Sequence, residues 1–329
     1  MEQRPIPRMH RTASVIGLGT WQLGADWGRV NETEARAILD AATGEGITFV
    51  DTADVYGDGR SERIIGSFLA DEPGRAERLL VATKMGRRAP QDPAEFTQAN
   101  FRSWLDRSRA NLGVDTIDLV QLHCPPSAVF ADDRVFDDLD ALVDEGVIAH
   151  YGVSVETCDE ALTAIARPGV ASVQIILNPF RLKPLEQVVP AAADAGVAVI
   201  ARVPLASGLL SGKFGPDSTF AADDHRSFNR DGSAFDVGET FSGVDYTTGL
   251  AAVGELSPLV PAGMTMAQLA LRWIIQQPGV TTVIPGASSV DQAVANARAA
   301  DAPPLERETL AAIAAIYDER IRPEVHHRW

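Results

Sequence analysis

Four side chains that could move a proton stand near the ends of apolar segments. Asp51, Lys84 and His123 each follow a largely apolar run typical of a buried strand, and Tyr56 lies a few residues beyond Asp51. The carboxyl ends of parallel strands meet at one edge of a sheet or barrel, so these side chains can converge there. Taken alone, Asp51 also fits a turn cap and Tyr56 an ordinary loop aromatic.

A lysine beside a tyrosine would create a general acid. A free tyrosine has a pKa of about 10 and donates its proton poorly near neutrality. An ammonium about 4 Å away, at an effective dielectric near 20, stabilises the phenolate by about 4 kcal/mol before desolvation, or roughly three pKa units. We therefore predict that Lys84 brings Tyr56 towards the working range of a general acid.

The other two residues have supporting roles in this hypothesis. Asp51 would keep Lys84 charged and in place, and His123 would hydrogen-bond the substrate oxygen or share in proton transfer. The sequence shows no base-activated serine or cysteine pair and no His/Asp/Glu cluster with metal-ligand spacing. The set suits protonation of a carbonyl oxygen while another group delivers hydride.

The elements that would position these residues form a repeated pattern. Helical stretches end at a glycine that is followed directly by an apolar strand, and this unit returns at intervals of about 25–40 residues, the size of a βα unit. The pattern predicts an α/β fold, a (β/α)8 barrel. A doubly wound sheet is the alternative, but Gly17-Leu18-Gly19 lacks the third glycine of a dinucleotide fingerprint. The eight predicted strands are residues 17–21, 47–51, 79–84, 117–123, 149–154, 172–177, 198–203 and 281–285.

Additional segments flank the repeats in what we predict to be a single domain, residues 1–329. An N-terminal hairpin is expected over residues 4–15, and Asn31 with Glu34 predicts a capped first helix. A long loop rich in Gly, Asp and Ser, residues 215–261, follows the seventh strand and is typical of a lid or a disordered segment. Two extra helices are predicted after the last strand, before an aromatic and His-rich tail, residues 322–329.

Composition excludes several classes of protein. The chain of 329 residues is 45% hydrophobic, lacks a run of 18 apolar residues and begins with a polar, Pro-broken stretch unlike a signal peptide. Its net charge of −16 argues against a nucleic-acid or anionic-membrane partner. Two cysteines, Cys124 and Cys158, fit reduced thiols in the cytoplasm. Lysine occurs only at positions 84, 183 and 213, and the other basic side chains apart from histidine are arginines.

Eight stretches of the chain together form a specific signature. They are GLGTWQLG (17–24), DTADVYGDGRSE (51–62), ATKMG (82–86), DTIDLVQLH (115–123), GVS (152–154), VQIILN (173–178), PLASGLLSGKF (204–214) and IPGASSVDQAVAN (284–296). In these stretches the sequence resembles the aldo-keto reductase family over nearly its whole length. This resemblance implies a (β/α)8 barrel, NAD(P)H-dependent carbonyl reduction, and a tetrad of Asp51, Tyr56, Lys84 and His123 with Tyr56 as general acid.

The same resemblance implies a cofactor site. Ser154 and Gln174 match positions that hold the nicotinamide carboxamide, and Arg202 stands where the family commonly stacks an aromatic ring on the nicotinamide. Val155 replaces a frequent Asn. The pyrophosphate segment, the adenosine end and the first strand supply the other implied contacts, which are Gly19, Thr20, Trp21, Asp51, Pro204, Leu205, Ser207, Gly208, Lys213, Gly286, Ser288, Gln292 and Asn296.

The cofactor preference has one unusual feature. Many relatives carry Lys or Arg between positions 286 and 292, and this chain has neither there. We expect NADP(H) to be preferred and NAD(H) to be possible. Our hypothesis is that the long loop orders on NADPH binding and that Arg226 or Arg230 supplies the missing cation for the 2′-phosphate.

Three functional classes stay open at this point. A carbonyl reductase is favoured over a non-catalytic NADP(H)-binding subunit, as found among potassium-channel beta subunits, and over a Schiff-base aldolase using Lys84. We expect Trp21 to line the substrate pocket, while Trp27 fits core and pocket equally. Cys124 is expected to be structural, and His326 and His327 to belong to a solvated tail rather than to a metal site. The substrate is expected to be a small carbonyl compound, and reaction direction and oligomeric state stay open.

Overall fold

The computed structural model describes residues 1–24 and 30–329. Eight parallel strands form one sheet in sequential order, as predicted. Two hairpin strands, β1 (Gln3–Ile6) and β2 (Arg11–Ser14), precede them. The eight parallel strands are β3 (Leu18–Gly19), β4 (Phe49–Asp51), β5 (Leu80–Met85), β6 (Leu119–His123), β7 (Tyr151–Ser154), β8 (Val170–Ile176), β9 (Ala198–Arg202) and β10 (Thr282–Val283).

The sheet closes on itself between its first and last strands. Gly17 N donates to the Val283 carbonyl oxygen at 2.8 Å, and Val283 N donates to the Val15 carbonyl oxygen at 3.0 Å. Gly19 pairs in parallel with Gly286 in the same seam. These bonds remove the sheet edges and make the eight strands a closed barrel.

Helices surround the barrel because their apolar faces pack on the outer faces of the strands. The first, Glu32–Gly44, has the predicted capping box between Asn31 and Glu34. The others that alternate with strands are Arg60–Ala70, Gln98–Leu112, Asp133–Asp144, Cys158–Ile165, Val188–Ala195, Met266–Ile275 and Val290–Ala297. Short or additional helices are Arg75–Arg78, Ser127–Phe130, His225–Phe228, Tyr246–Leu256, Arg307–Ile316 and Arg322–Val325, with a π-helical turn at Tyr317–Ile321.

The hairpin plugs one end of the barrel. Ile6, Met9 and Ala13 are buried and pack in one apolar cluster with Phe49 and Leu119 from the barrel interior. This closes the end opposite the carboxyl ends of the strands, so the site must open at the other end.

The long segment after β9 is more structured than predicted. Its last part forms the helix Tyr246–Leu256, because the Asp245 side chain caps it by accepting from Thr247 N and Thr248 N. The tail also differs from the expected solvated segment. Trp329 is buried, and His326 Nδ1 lies 2.9 Å from the Tyr317 hydroxyl, whereas His327 is exposed. No helix in the described part of the chain is both long and apolar enough to cross a membrane.

Candidate active site

The four predicted catalytic residues meet at the open end of the barrel. Asp51 ends β4, Lys84 lies near the end of β5, and His123 ends β6. Lys84 Nζ donates to an Asp51 carboxylate oxygen, and it donates to the Tyr56 hydroxyl oxygen at 3.5 Å. The Tyr56 and His123 rings are 6.1 Å apart between centroids and nearly perpendicular. The structure therefore brings the four together.

Two amides hold Asp51 in place. Gln174 Nε2 donates to Asp51 Oδ2 at 2.8 Å, and Gln121 Nε2 donates to the same oxygen at 3.2 Å. Gln174 was expected at the nicotinamide, and here its amide also supports the carboxylate. Sequence reasoning missed Gln121, although it lies two residues before His123 and so shares its face of the strand.

Electrostatics favour a charged Lys84. Burial lowers the pKa of this ammonium, but the Asp51 carboxylate and Tyr56 oppose that effect, and the net pKa lies above its usual value. Burial raises the pKa of the Tyr56 phenol above its ordinary value, and Lys84 lowers it in part. The direction of the Lys84 effect is as predicted, but burial outweighs it, since a phenolate is costly to bury.

The His123 imidazole is neutral near neutral pH. Burial, followed by the charges of Arg87, Lys84 and Arg202, holds its pKa well below the usual value. Its Nδ1 is buried without a hydrogen-bond partner among the described residues. The neutral ring can thus donate one hydrogen bond to a substrate oxygen, but it does not act as a cation.

An aromatic wall stands beside Tyr56. The Trp21 ring stacks 6.1 Å from the Tyr56 ring between centroids, and it lies 5.5 Å from His225 and 6.5 Å from Phe235. His225 and Phe235 come from the long segment after β9, which the sequence analysis connected with the cofactor through Arg226 or Arg230 but not through these two rings. Trp27 lies outside the described residues.

A buried ionic cluster surrounds Arg202. Arg202 Nη2 lies 2.7 Å from a Glu156 carboxylate oxygen, and Nη1 lies 2.8 Å from a Glu239 oxygen. Arg87 contacts the same two carboxylates at 3.5 and 3.8 Å. Donor atoms of Cys124, Glu156 and Glu239 lie within 4.8 Å of one another, as a metal site requires. Arg202 nevertheless engages both carboxylates, and burial raises the pKa of the Cys124 thiol to about 12, which disfavours metal binding.

The segment after β9 has an unusual backbone. Val203, Ala206 and Ser207 have φ values of 50°, 47° and 54°, and Gly208 has φ 96°. Positive φ is a genuine outlier for a β-branched residue such as Val203, and such conformations cluster at ligand sites. Successive N–H groups in such a segment can form an anion-binding concavity. Pro204 and Leu205 lie within the segment, whereas Lys213 is exposed beyond it.

The segment around β10 forms a second small unit. Asn296 Nδ2 donates to the Gly286 carbonyl oxygen at 3.1 Å, and both Ser288 N and Oγ donate to Gln292 Oε1 at 2.9 and 3.0 Å. A Cβ atom on Gly286 would come within 2.4 Å of the Gln22 amide, so the Gln22 side chain packs directly on this glycine. The four predicted adenosine residues therefore lie together.

The remaining predicted cofactor residues line the barrel mouth. Thr20 is buried, and its Oγ1 donates to the Asp51 carbonyl oxygen at 2.8 Å. Gly19 closes the seam with Gly286, as described above. Ser154 is buried at the end of β7, with its Oγ 3.4 Å from Cys124 Sγ. Cys124 thus contacts a predicted cofactor residue.

The two arginines of the long loop stack on aromatic rings. Arg226 lies 4.5 Å from the Phe220 ring centroid, and Arg230 lies 5.2 Å from that of Tyr246. Arg226 Nε also donates to both carboxylate oxygens of Asp224, at 2.9 and 3.1 Å. Arg226 Nη1 lies 3.6 Å from the position that a Cβ on Gly208 would take. Arg226 thus lies beside the left-handed segment after β9.

A family model described as "Aldo/keto reductase family" matches residues 15–318. The chain belongs to the aldo/keto reductase family. It is therefore an oxidoreductase of that family, with the barrel fold the family implies. Among curated relatives, aldo-keto reductase YhdN of Bacillus subtilis is 32% identical over 297 residues, covering 89% of this chain and 86% of the relative.

Two further comparisons bear on cofactor and fold. Aldo-keto reductase yakc [NADP(+)] of Schizosaccharomyces pombe is 27% identical over 286 residues, covering 85% of this chain and 81% of the relative. The structure of glycerol dehydrogenase AKR11B4 from Gluconobacter oxydans has a TM-score of 0.78 and 29% identity, covering 97% and 96% of the two chains. The similarity thus spans the whole barrel of this aldo/keto reductase.

A second carboxyl near the tetrad is buried in an unusual state. Asp54 is fully buried, and neither of its carboxyl oxygens has a hydrogen-bond partner of normal geometry in the described part of the chain. Burial, reinforced by the neighbouring Glu62 carboxylate, raises the pKa of Asp54 to about 7, while Arg88 and Arg107 act in the opposite direction. The Asp54 carboxyl therefore keeps its proton to a much higher pH than an exposed aspartate does.

We expect Asp54→Asn to stabilise the reductase at alkaline pH. A carboxyl whose pKa is raised on folding keeps its proton in the folded state while the unfolded chain ionises, so stability falls as pH rises from about 4 to about 7. At about 1.4 kcal/mol per pKa unit, the penalty reaches roughly 2–4 kcal/mol above pH 7. Urea unfolding at pH 5 and pH 8 should show the larger gain at pH 8.

The control for this prediction is Asp58→Asn. Hydrogen bonds from Arg88 and Arg107 lower the pKa of the exposed Asp58 carboxyl, so this change should remove stability rather than add it. An equal gain for Asp54→Asn at both pH values would contradict the buried-carboxyl account.

Proposed function

We propose that this protein reduces an aldehyde or ketone to an alcohol with NADPH, and that Tyr56 donates the proton. The observation that carries the proposal is the Lys84 ammonium, which is buried, paired with Asp51 and 3.5 Å from the Tyr56 hydroxyl. A bound nicotinamide supplies the hydride in this family. The protein's own residues then orient the carbonyl, exclude water and deliver the proton.

The residues at the barrel mouth fit the cofactor. The left-handed segment at 203–208 would meet a pyrophosphate with the backbone N–H groups of Leu205 and Ser207, since those of Ala206 and Gly208 donate to carbonyl oxygens within the segment. Ser154 and Gln174 would hold the carboxamide, and Arg202 would stack on the nicotinamide through its planar guanidinium. Ser288, Gln292 and Asn296 would hold the adenosine end, where the capped helix N-terminus at Val290 favours negative charge.

The residues around the Tyr56 hydroxyl support its role as the proton donor. Its hydroxyl lies 3.5 Å from Lys84 Nζ, and this ammonium would stabilise the phenolate left after donation. Neutral His123 would donate a hydrogen bond to the same substrate oxygen and keep it in reach. Trp21 and the aromatic residues of the long loop would cover the site and limit access of water.

A substrate panel with NADPH and NADH tests this proposal. We expect oxidation of NADPH that depends on an added aldehyde or ketone, with formation of the matching alcohol. Tight NADPH binding without turnover on any carbonyl compound would instead favour a non-catalytic binding subunit. Trapping of a substrate on Lys84 by borohydride would favour the aldolase, which the charged state of Lys84 opposes.

We expect Arg226→Ala to weaken NADPH and NADH binding by similar factors. The Arg226 guanidinium lies beside Gly208 in the proposed pyrophosphate segment, and both cofactors carry a pyrophosphate. A charged hydrogen bond is worth about 1.5–3 kcal/mol, so the loss should be roughly tenfold or more. Titration of both cofactors by protein fluorescence measures it, with Arg230→Ala as the matched variant.

The alternative outcomes separate the two phosphates. A loss confined to NADPH in either variant would place that arginine at the 2′-phosphate, as the sequence hypothesis had it. Unchanged affinities in both variants would remove the loop arginines from cofactor binding.

A further inference from the structure

Trp329 is docked rather than solvated. Only 5% of the residue is exposed, and its indole Nε1 donates to Asp236 Oδ1 at 3.0 Å. The Arg181 guanidinium lies 3.6 Å from the ring centroid on a face of the indole. Among aromatic rings, an indole binds a cation over its face best, so Arg181 holds the Trp329 ring in a defined position, which we call the seat.

Two glycines allow the backbone to pack closely against the Trp329 indole. A Cβ on Gly243 would lie 2.2 Å from the Trp329 ring, and one on Gly238 would lie 3.1 Å from it. Both glycines belong to residues 236–243, which we call the strap. The strap thus lies directly against the indole.

The other side of the strap contacts the proposed cofactor site. Ser207 Oγ donates to the Glu239 carbonyl oxygen at 2.9 Å and accepts from Phe241 N at 3.0 Å. The Glu239 carboxylate lies 2.8 Å from Arg202 Nη1. A short segment therefore joins Trp329 to two residues at the barrel mouth.

Arg202 is held between two carboxylates. Glu156, two residues past β7, pairs with Nη2, which also donates to the Val155 carbonyl oxygen at 3.0 Å, and Glu239 of the strap pairs with Nη1. A flexible arginine side chain with both terminal nitrogens engaged keeps one orientation of its plane. Without the strap, one of these two constraints is lost.

We propose that Glu239 and Trp329 are positioning residues for cofactor binding. Trp329 holds the strap in place by packing against it, and Glu239 of the strap fixes the plane of the Arg202 guanidinium on which the nicotinamide stacks. The second half rests on the proposed function, because it takes Arg202 as a cofactor contact. The first half is a property of the fold and is measured without any ligand.

Hydrogen exchange of the ligand-free protein tests the seat. Trp329→Ala should speed amide exchange across residues 236–243 by at least about tenfold and leave the amides of Ala198–Arg202 unchanged. Trp329→Phe keeps an aromatic ring over Arg181 but lacks the N–H for Asp236, so it should restore most of the protection. His327→Ala, an exposed neighbour, is the control and should exchange as the wild type does.

Cofactor titration and steady-state kinetics test the coupling. Trp329→Ala and Glu239→Gln should each raise the dissociation constant of NADPH by about tenfold, with kcat at saturating NADPH within about twofold of wild type. Glu239→Gln should do so without faster exchange in the strap, because its backbone remains bonded to Ser207. Trp329→Phe should restore the affinity for NADPH together with the amide-exchange protection of the strap.

Each result decides a part of the proposal. Unchanged amide exchange in the strap of Trp329→Ala would show that Trp329 does not hold the strap. Faster exchange with an unchanged affinity for NADPH would show that the strap does not support cofactor binding. A lower melting temperature with neither effect would reduce Trp329 to general packing and overturn the proposal. If the wild type binds no NADPH, the proposed function fails, while the exchange data still judge the seat.

Discussion

Tyr56→Phe should lower the rate of carbonyl reduction by about 10²–10⁴-fold and leave the affinity for NADPH nearly unchanged. General acid catalysis contributes typically this much, and the substitution removes the one hydroxyl that Lys84 contacts among the described residues. The phenyl ring retains the packing against Trp21 and His123, so the pocket shape is preserved.

Steady-state kinetics and cofactor titration together check this expectation. Tyr151→Phe is the matched control, since it removes a hydroxyl that bonds Asp140 away from the tetrad. A kcat near that of the wild type in Tyr56→Phe would take the role of proton donor away from this residue. An equal loss in the control would point to general instability.

Lys84→Met should remove most of the activity, by about 10³-fold, and change its dependence on pH. Lys84 lowers the pKa of Tyr56 against the effect of burial, so its loss leaves a weaker acid. A general acid works below its pKa, and the alkaline limb of kcat should therefore move to higher pH while the maximum rate falls. Lys84→Arg should rescue poorly, because the bulkier fork does not fit a site where Lys84 is 1% exposed.

The effect of Lys84→Met on stability must be separated from its effect on catalysis. Removing one partner of a buried ion pair costs about 3–5 kcal/mol, because Asp51 would be left buried without its cation. The double variant Asp51→Asn/Lys84→Met removes both charges and should recover much of the lost melting temperature, but not the activity. Full activity in Lys84→Arg would show that any cation suffices.

The local pattern of the sequence predicted the barrel and the positions of the four proposed catalytic residues. Each strand is a short apolar run beside a turn glycine, and both signals lie within a few neighbouring residues. Parallel strands in such a barrel carry functional groups at their carboxyl ends, so Asp51, Lys84 and His123 were placed by chain position alone. The family resemblance then supplied the proposed cofactor residues, which the structure gathers at the same end of the barrel.

Only the tertiary structure decided how distant charges and rings pair. Arg202 meets Glu156 and Glu239 from segments about 40 residues away on either side, and Trp329 meets Asp236 from 93 positions along the chain. No periodicity or turn signal connects such positions, because their contact depends on how the helices and loops pack after the barrel has closed. The net pKa of Tyr56 was missed for the same reason, since it follows from burial that residues of several strands and loops create together.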